Sequence, residues 1–171
     1  LSLFKMSEIL IRRNTVLETL RGSQRNILGL WVQQGLNRKD IAPFLAAAKT
    51  RQVPIHSASK REISQKAGDS RHQGVLLQVG PYIYSDLDSM LALAESRQEQ
   101  PFLLLLDLLH GPQNIGILLR TAEICGAHGV IVQDRRAPDI TPAVVQYSAG
   151  AAEHMLVAQV TNLAQTITQL Q

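Results

Sequence analysis

The segment Pro101-Phe102-Leu103-Leu104-Leu105-Leu106-Asp107 limits the possible folds of this chain more than any other: an unbroken apolar run that stops at a carboxylate and gives way to His110-Gly111-Pro112. A strand with one wet face alternates apolar and polar residues, whereas an unbroken run needs cover on both faces, the condition met in parallel sheets flanked by helices. The run has the length of a strand and falls far short of the roughly 18 consecutive apolar residues of a membrane-spanning helix. It is therefore expected to be a central, parallel strand of an α/β domain. A membrane protein is excluded.

The flanking pattern agrees with that expectation. Asp86 to Arg97 reads as an amphipathic helix, and a helix from about Asn114 to Cys125 follows the loop Leu108–Gln113. A strand Gly129–Val132, a loop with Asp134-Arg135-Arg136, a short helix near Thr141–Val145, a strand around Met155–Val157 and a helix from Thr161 complete a β-loop-α order.

Upstream, Val16, Leu17 and Leu20 suit a helix stopped by Gly22, and Ile27 to Val32 a strand. Ile41, Phe44, Leu45 and Ala48 form one helical face behind the capping residues Asn37 to Asp40. Ser59-Lys60-Arg61-Glu62 is a capping-box pattern opening a helix to Ala67, which Gly68 ends; Gly74–Val79 is a strand. Helix and strand alternate three times, as in a small α/β sandwich. The expected organisation is a domain over residues 7–80, a linker over 81–85, where Pro81 interrupts the chain, and a second domain over 86–171.

Charge divides the chain at the same place. Residues 1–80 hold 13 Lys or Arg against 5 Asp or Glu, and residues 81–171 hold 4 against 9, so the net charge of +3 conceals a basic half and an acidic half. A basic module suits a polyanion, foremost nucleic acid. The single Cys125 excludes an internal disulfide framework and a structural zinc site of this chain's own thiols, and fits a reducing, cytoplasmic location. Residues Leu1–Met6 lack the layout of a secretion signal, and Met6 reads as a natural start.

Ligands of parallel α/β sheets gather at the carboxyl ends of the strands, which points to Asp107–Arg120. The loop before the helix could present backbone N–H groups to an anion. It is neither GxGxxG nor a phosphate-binding P-loop, so dinucleotide and nucleoside-triphosphate readings lose support. Arg120, in an otherwise apolar helix, needs an anion or an acid; Glu123 and Asp107 are the internal candidates. Asn114 suits a helix N-cap. Trp31 is expected in the core, Cys125 as a small buried residue, Ser148 and Gly150 at a close backbone approach, and the five histidines show no metal spacing.

Asp107-Leu-Leu-His-Gly-Pro-Gln-Asn114-Ile-Gly-Ile-Leu-Leu-Arg120-Thr-Ala-Glu-Ile-Cys-Gly126 closely resembles the first signature of the SpoU, or TrmH, family of RNA ribose methyltransferases, of the knotted SPOUT class. Tyr147-Ser-Ala-Gly-Ala151 resembles a later segment of that family. Ile9–Leu20 and His72-Gln-Gly-Val75 resemble the start and end of its ribosomal-protein-L30e-like substrate-binding domain.

The resemblance implies an L30e-like α/β sandwich followed by a SPOUT α/β-knot domain with a mainly parallel sheet. It further implies S-adenosylmethionine (AdoMet) as cofactor, rRNA or tRNA as partner, a homodimer, and methyl transfer to a ribose 2′-hydroxyl. Arg120 would take the catalytic arginine position and Asn114 that of its partner. A guanidinium stays protonated, so Arg120 is expected to hold the phosphate beside the target ribose and stabilise the developing alkoxide, with Asn114 orienting Arg120 or the ribose.

Arg12, Arg13, Arg21, Arg25, Arg38, Lys39, Lys60, Arg61 and Arg71 are the expected phosphate contacts, and Asn14, His72 and Gln73 the shape or base contacts. Arg12 stands where the family has glycine. The resemblance also places two further signatures, with most of the cofactor pocket, beyond the position of Gln171. The chain is accordingly expected to be part of a longer enzyme, with a catalytically inactive RNA-binding protein of the same fold as the alternative.

Overall fold

A computed structural model describes residues 7–22, 24–134 and 139–171. The expectations for Leu1–Met6 and for Arg135 and Arg136 lie outside the described residues. The chain separates into two compact units, up to Tyr82 and from Ile83. No helix among the described residues is long and apolar enough to cross a membrane.

The first unit runs β1 (Glu8–Ile11), α1 (Arg13–Gly22), β2 (Ile27–Gln33), α2 (Arg38–Thr50), β3 (Ile55–Ala58), α3 (Lys60–Ala67) and β4 (Val75–Val79). Its sheet has the order β1-β4-β2-β3, with β4 antiparallel to β1 and β2, and β2 parallel to β3. All five residues of β4 are buried, as befits an inner strand. Ile11, Ala58, Leu76 and Ile63 of α3 form one cluster, so α3 covers that face. Leu10 and Leu77, of the opposite parity, are also buried; α1 packs on their strands and α2 packs in turn on α1.

Local chemistry sets the element ends. Ser59 Oγ accepts from the Glu62 N–H while the Glu62 carboxylate accepts from the Ser59 N–H, the two halves of a capping box. Gly68 closes α3 at φ 63°, a left-handed position that glycine adopts without steric cost. Strand β1 escapes the sequence reading because only Arg12 separates it from α1.

The second unit runs α4 (Leu87–Ser96), β5 (Leu103–Leu106), α5 (Pro112–Ile124), β6 (Gly129–Gln133), α6 (Pro142–Tyr147), β7 (Val157–Val160) and α7 (Leu163–Leu170), with a 3-10 turn at Ala151–Glu153. The parallel sheet has the order β5-β6-β7 among the described residues. Within the described residues β6 lies between β5 and β7, and Leu103–Leu105 are half-buried. Met90, Ile131, Ala158 and Leu163 form a core cluster. The last strand starts at Val157, later than expected, because the 3-10 turn and His154 take up the intervening residues.

Candidate functional site

In the second unit the sequence candidates lie where β5 ends and α5 begins. Asp107 is exposed, and the connecting loop holds Leu108 at φ 51° and Gly111 at φ 85°. Gly111 is the N-cap and provides no side-chain cap, and Pro112 opens the helix, a position where its missing N–H costs nothing. Asn114 is thus inside the first turn rather than at the N-cap, which corrects that reading. Its Nδ2 donates to the His110 carbonyl at 3.0 Å and ties the loop to the helix.

Arg120 is exposed on the same helix, and among the described residues it forms no ion pair with Glu123 or Asp107. Six residues along an α-helix place Asn114 and Arg120 roughly 9 Å apart along the axis and about 120° apart around it. No hydrogen bond joins them. Arg120 stands between Ile117 and Ile124, three residues after one and four before the other, hence on one face; these isoleucines are 50% and 72% exposed. Cys125, expected to be buried, is exposed as the C-cap of α5, since the apolar face of the helix is used up by Ile115, Leu119 and Ala122.

The segment Tyr147–Ala151 packs against α5. A Cβ at Gly116 would lie 2.6 Å from Tyr147 Cβ and 2.9 Å from both the Ser148 nitrogen and the Val144 oxygen, so glycine permits the close approach. The buried Ser148 Oγ donates to the Val145 carbonyl and accepts from the Ala152 N–H, and Gly150 sits at φ 94°. The expected backbone approach is present. Sequence reading missed Gln133, at the carboxyl end of the middle strand: its Oε1 is buried with no hydrogen-bond partner among the described residues. A polar residue closing the run Gly-Val-Ile-Val is the signal that could have marked it.

In the first unit several basic candidates converge on the start of α1. Arg12 is at φ 75°, the conformation that glycine favours, so the departure from the family glycine falls on a backbone that still demands it. The Arg13 N–H donates to Gln73 Oε1 at 2.9 Å, its Nε to the Gln73 carbonyl at 3.3 Å, and its guanidinium lies 3.7 Å from Asp40. Arg71 makes paired bonds to Asp69 and holds its carboxyl at about 2, with Arg12 close enough to add to the effect. Asn14 is exposed nearby, and Arg21 pairs with Glu18 at 3.0 Å. Arg38 and Lys39 open α2, Lys60 and Arg61 open α3, and all four are exposed.

Two candidates are corrected outright. Arg25 is 2% exposed: its guanidinium pairs with Glu8, donates to the Gly80 carbonyl and lies over the Tyr82 ring, fastening the unit's two ends. His72 is 1% exposed, with Nδ1 accepting from the Gly74 N–H and Nε2 3.1 Å from Ser64 Oγ. That pattern fixes a neutral ring protonated on Nε2, and burial, helped by the charge of Lys60, pushes its pKa below the ordinary value. Both residues serve the fold. No group of three or more His, Cys, Asp or Glu that could hold a metal ion occurs among the described residues.

Comparison with known proteins agrees with the two-part layout. Residues 13–85 match the family model for RNA 2′-O ribose methyltransferase substrate binding, and residues 101–171 match that of the SpoU rRNA Methylase family. A TrmH family protein of Bacillus subtilis, YacO, is 38% identical over 163 residues, spanning 95% of this chain and 65% of its own length. The chain belongs to the SpoU/TrmH family. A second family member, from Staphylococcus haemolyticus, is 33% identical over 95% of the chain and 64% of its own length. The SpoU/TrmH chain thus spans about two thirds of these relatives, marginally less. Among solved structures, the AdoMet-bound rRNA methyltransferase of Sinorhizobium meliloti superposes with a TM-score of 0.69 at 20% identity, over 98% of this chain and 59% of that one. The SpoU methyltransferase AviRb of Streptomyces viridochromogenes gives 0.70 at 20% identity, over 98% and 58%. These two likenesses establish the SPOUT-type α/β fold.

Proposed function

We propose that this chain carries the RNA-recognition domain, residues 7–80, and after the linker 81–85 the first part, residues 86–171, of the catalytic domain of an enzyme that methylates a ribose 2′-hydroxyl in structured rRNA or tRNA. The single observation that carries this is Arg120, exposed beyond the carboxyl end of a parallel strand and held on a helix whose first turn is fastened by Asn114. A ribose hydroxyl is a weak nucleophile at neutral pH and must be aligned and relieved of its proton. Arg120 stays protonated, so it binds the phosphate next to the target ribose and stabilises the alkoxide as it forms, while the phosphate or water takes the proton. Asn114 acts on the loop and the ribose, since its amide is already committed to His110 and does not reach Arg120.

AdoMet supplies the electrophilic methyl group. Among the described residues, Gln133 Oε1 is buried without a partner and could accept from an amino group of the cofactor. The exposed Ile117 and Ile124 on either side of Arg120 suit a second copy of the chain, which would set the site beside a homodimer interface. A reducing, cytoplasmic compartment accompanies this reading.

The test is transfer of a labelled methyl group from AdoMet to rRNA and tRNA by the native full-length protein, with the product nucleotide mapped by mass spectrometry. Arg120→Ala is expected to abolish transfer and keep RNA affinity within a few-fold; a large loss of binding would instead assign Arg120 to anchoring. RNA binding without transfer in the native protein would leave an inactive RNA-binding member of the family.

A further inference from the structure

The first unit contains an aromatic stack that the methyl-transfer reading does not use. Trp31 on β2 and His56 on β3 are directly paired in the parallel register, and their rings stack with centroids 4.6 Å apart and planes 23° from parallel. The Lys66 ammonium, from α3, lies 4.4 Å from the indole centroid. Gly29 leaves the room for this: a Cβ there would come within 2.9 Å of two indole carbons and 3.4 Å of the His56 ring. Trp31 is not the core residue expected from its apolar neighbours. It is half-buried, packed on the α3 cluster from one side, while His56 is exposed on the outermost strand of the described sheet.

One face of the imidazole is against the indole, so the exposed surface of His56 lies on its other face and edges. A solvent-facing ring backed by a second ring is how proteins present a platform to an unstacked nucleobase, and cations on the neighbouring helix suit the phosphates of the same strand. Lys66 is exposed, and Lys60 and Arg61 stand exposed on the same helix. In this half of the chain Lys and Arg outnumber Asp and Glu. A single RNA strand offers bases to the rings and phosphates to the cations in alternation.

We propose that His56, supported by Trp31 and Lys66, is a stacking platform for an unpaired base of the RNA. This rests on the reading of the first unit as an RNA-recognition domain and adds a contact that prefers single-stranded or looped RNA over a paired helix.

The test uses the full 171-residue chain, in which Trp31 is the only tryptophan, so indole emission reports on this site alone. The probes are a single-stranded oligoadenylate and a fully paired RNA duplex of equal length. The single strand is expected to quench Trp31 emission. His56→Ala is expected to weaken its binding by at least about five-fold, the low end for loss of a base–aromatic stack, with the salt dependence unchanged because no phosphate contact is removed. His56→Tyr, which keeps a ring, is expected to restore it. Equal binding of wild type and His56→Ala, or a reduced salt slope in the variant, would overturn the platform while leaving the RNA reading intact. Failure of the wild-type chain to bind either probe would remove both.

Discussion

Replacing Gly116 by alanine sets two opposing effects of known sign against each other. Within a helix interior the change normally stabilises by about 1 kcal/mol, because alanine loses less backbone freedom. Here the new Cβ would meet Tyr147 Cβ at 2.6 Å and the backbone atoms Val144 O and Ser148 N, of α6 and its C-cap, at 2.9 Å, against ordinary contacts of 3.4–4 Å. None of these is the end of a flexible side chain, so α5 and α6 must separate by about 1 Å, and a gap of that size forfeits a quarter to a half of each affected contact. Ile115, Leu119, Val144 and Val145, all fully buried, line the two helices. Overpacking costs about 1–3 kcal/mol, or more where backbone must move, so the net expectation is a loss of about 2 kcal/mol. For a unit of this size that lowers the melting temperature by roughly 8–16 °C. Trp31 lies in the other unit, so the appropriate assay is hydrogen exchange of the α5 and α6 amides alongside a far-ultraviolet melting curve. A Gly116→Ala protein as stable as wild type, or more stable, would refute the close-approach argument.

Two further outcomes follow from the first unit. Arg12→Gly is expected to raise stability by about 1 kcal/mol, because a non-glycine residue in the left-handed region costs roughly 1–2 kcal/mol, and to weaken RNA binding with a shallower salt slope if the side chain meets a phosphate; a lower urea midpoint would show that Arg12 holds the turn instead. His72 is kept below its ordinary 6.5 by burial, so the unfolded chain binds more protons in mild acid, and stability present above about pH 6.5 is lost as the pH falls. Urea unfolding followed by Trp31 emission between pH 7.5 and 5.5 should show a falling midpoint that His72→Asn flattens; the same slope in both proteins would exclude His72 as its source.

Signals written in adjacent residues were legible in the sequence. The Ser59–Glu62 box, the Gly68 stop and the helical spacing of Ile41, Phe44 and Ala48 all act within one or two turns, and each element stands where those signals place it. What depends on distant partners was not legible. Arg25 reads as a surface cation until Glu8 and Gly80, far along the chain, close around it, and His72 reads as a polar loop residue until Ser64 and the turn at Gly74 enclose it. At the candidate site, Asn114 and Arg120 were found through their motif, whereas Gln133 becomes visible only when its amide oxygen is seen without a partner.

The exposure of Cys125 at the end of α5 has a practical consequence. Within these 171 residues it is the lone thiol, it lies in the second unit, and the lone indole lies in the first. A maleimide dye on Cys125 would label the second unit at a single site, while Trp31 reports from the first. The chain therefore carries one natural reporter in each unit, so that the response of either half to an added RNA can be followed separately with no foreign residue introduced.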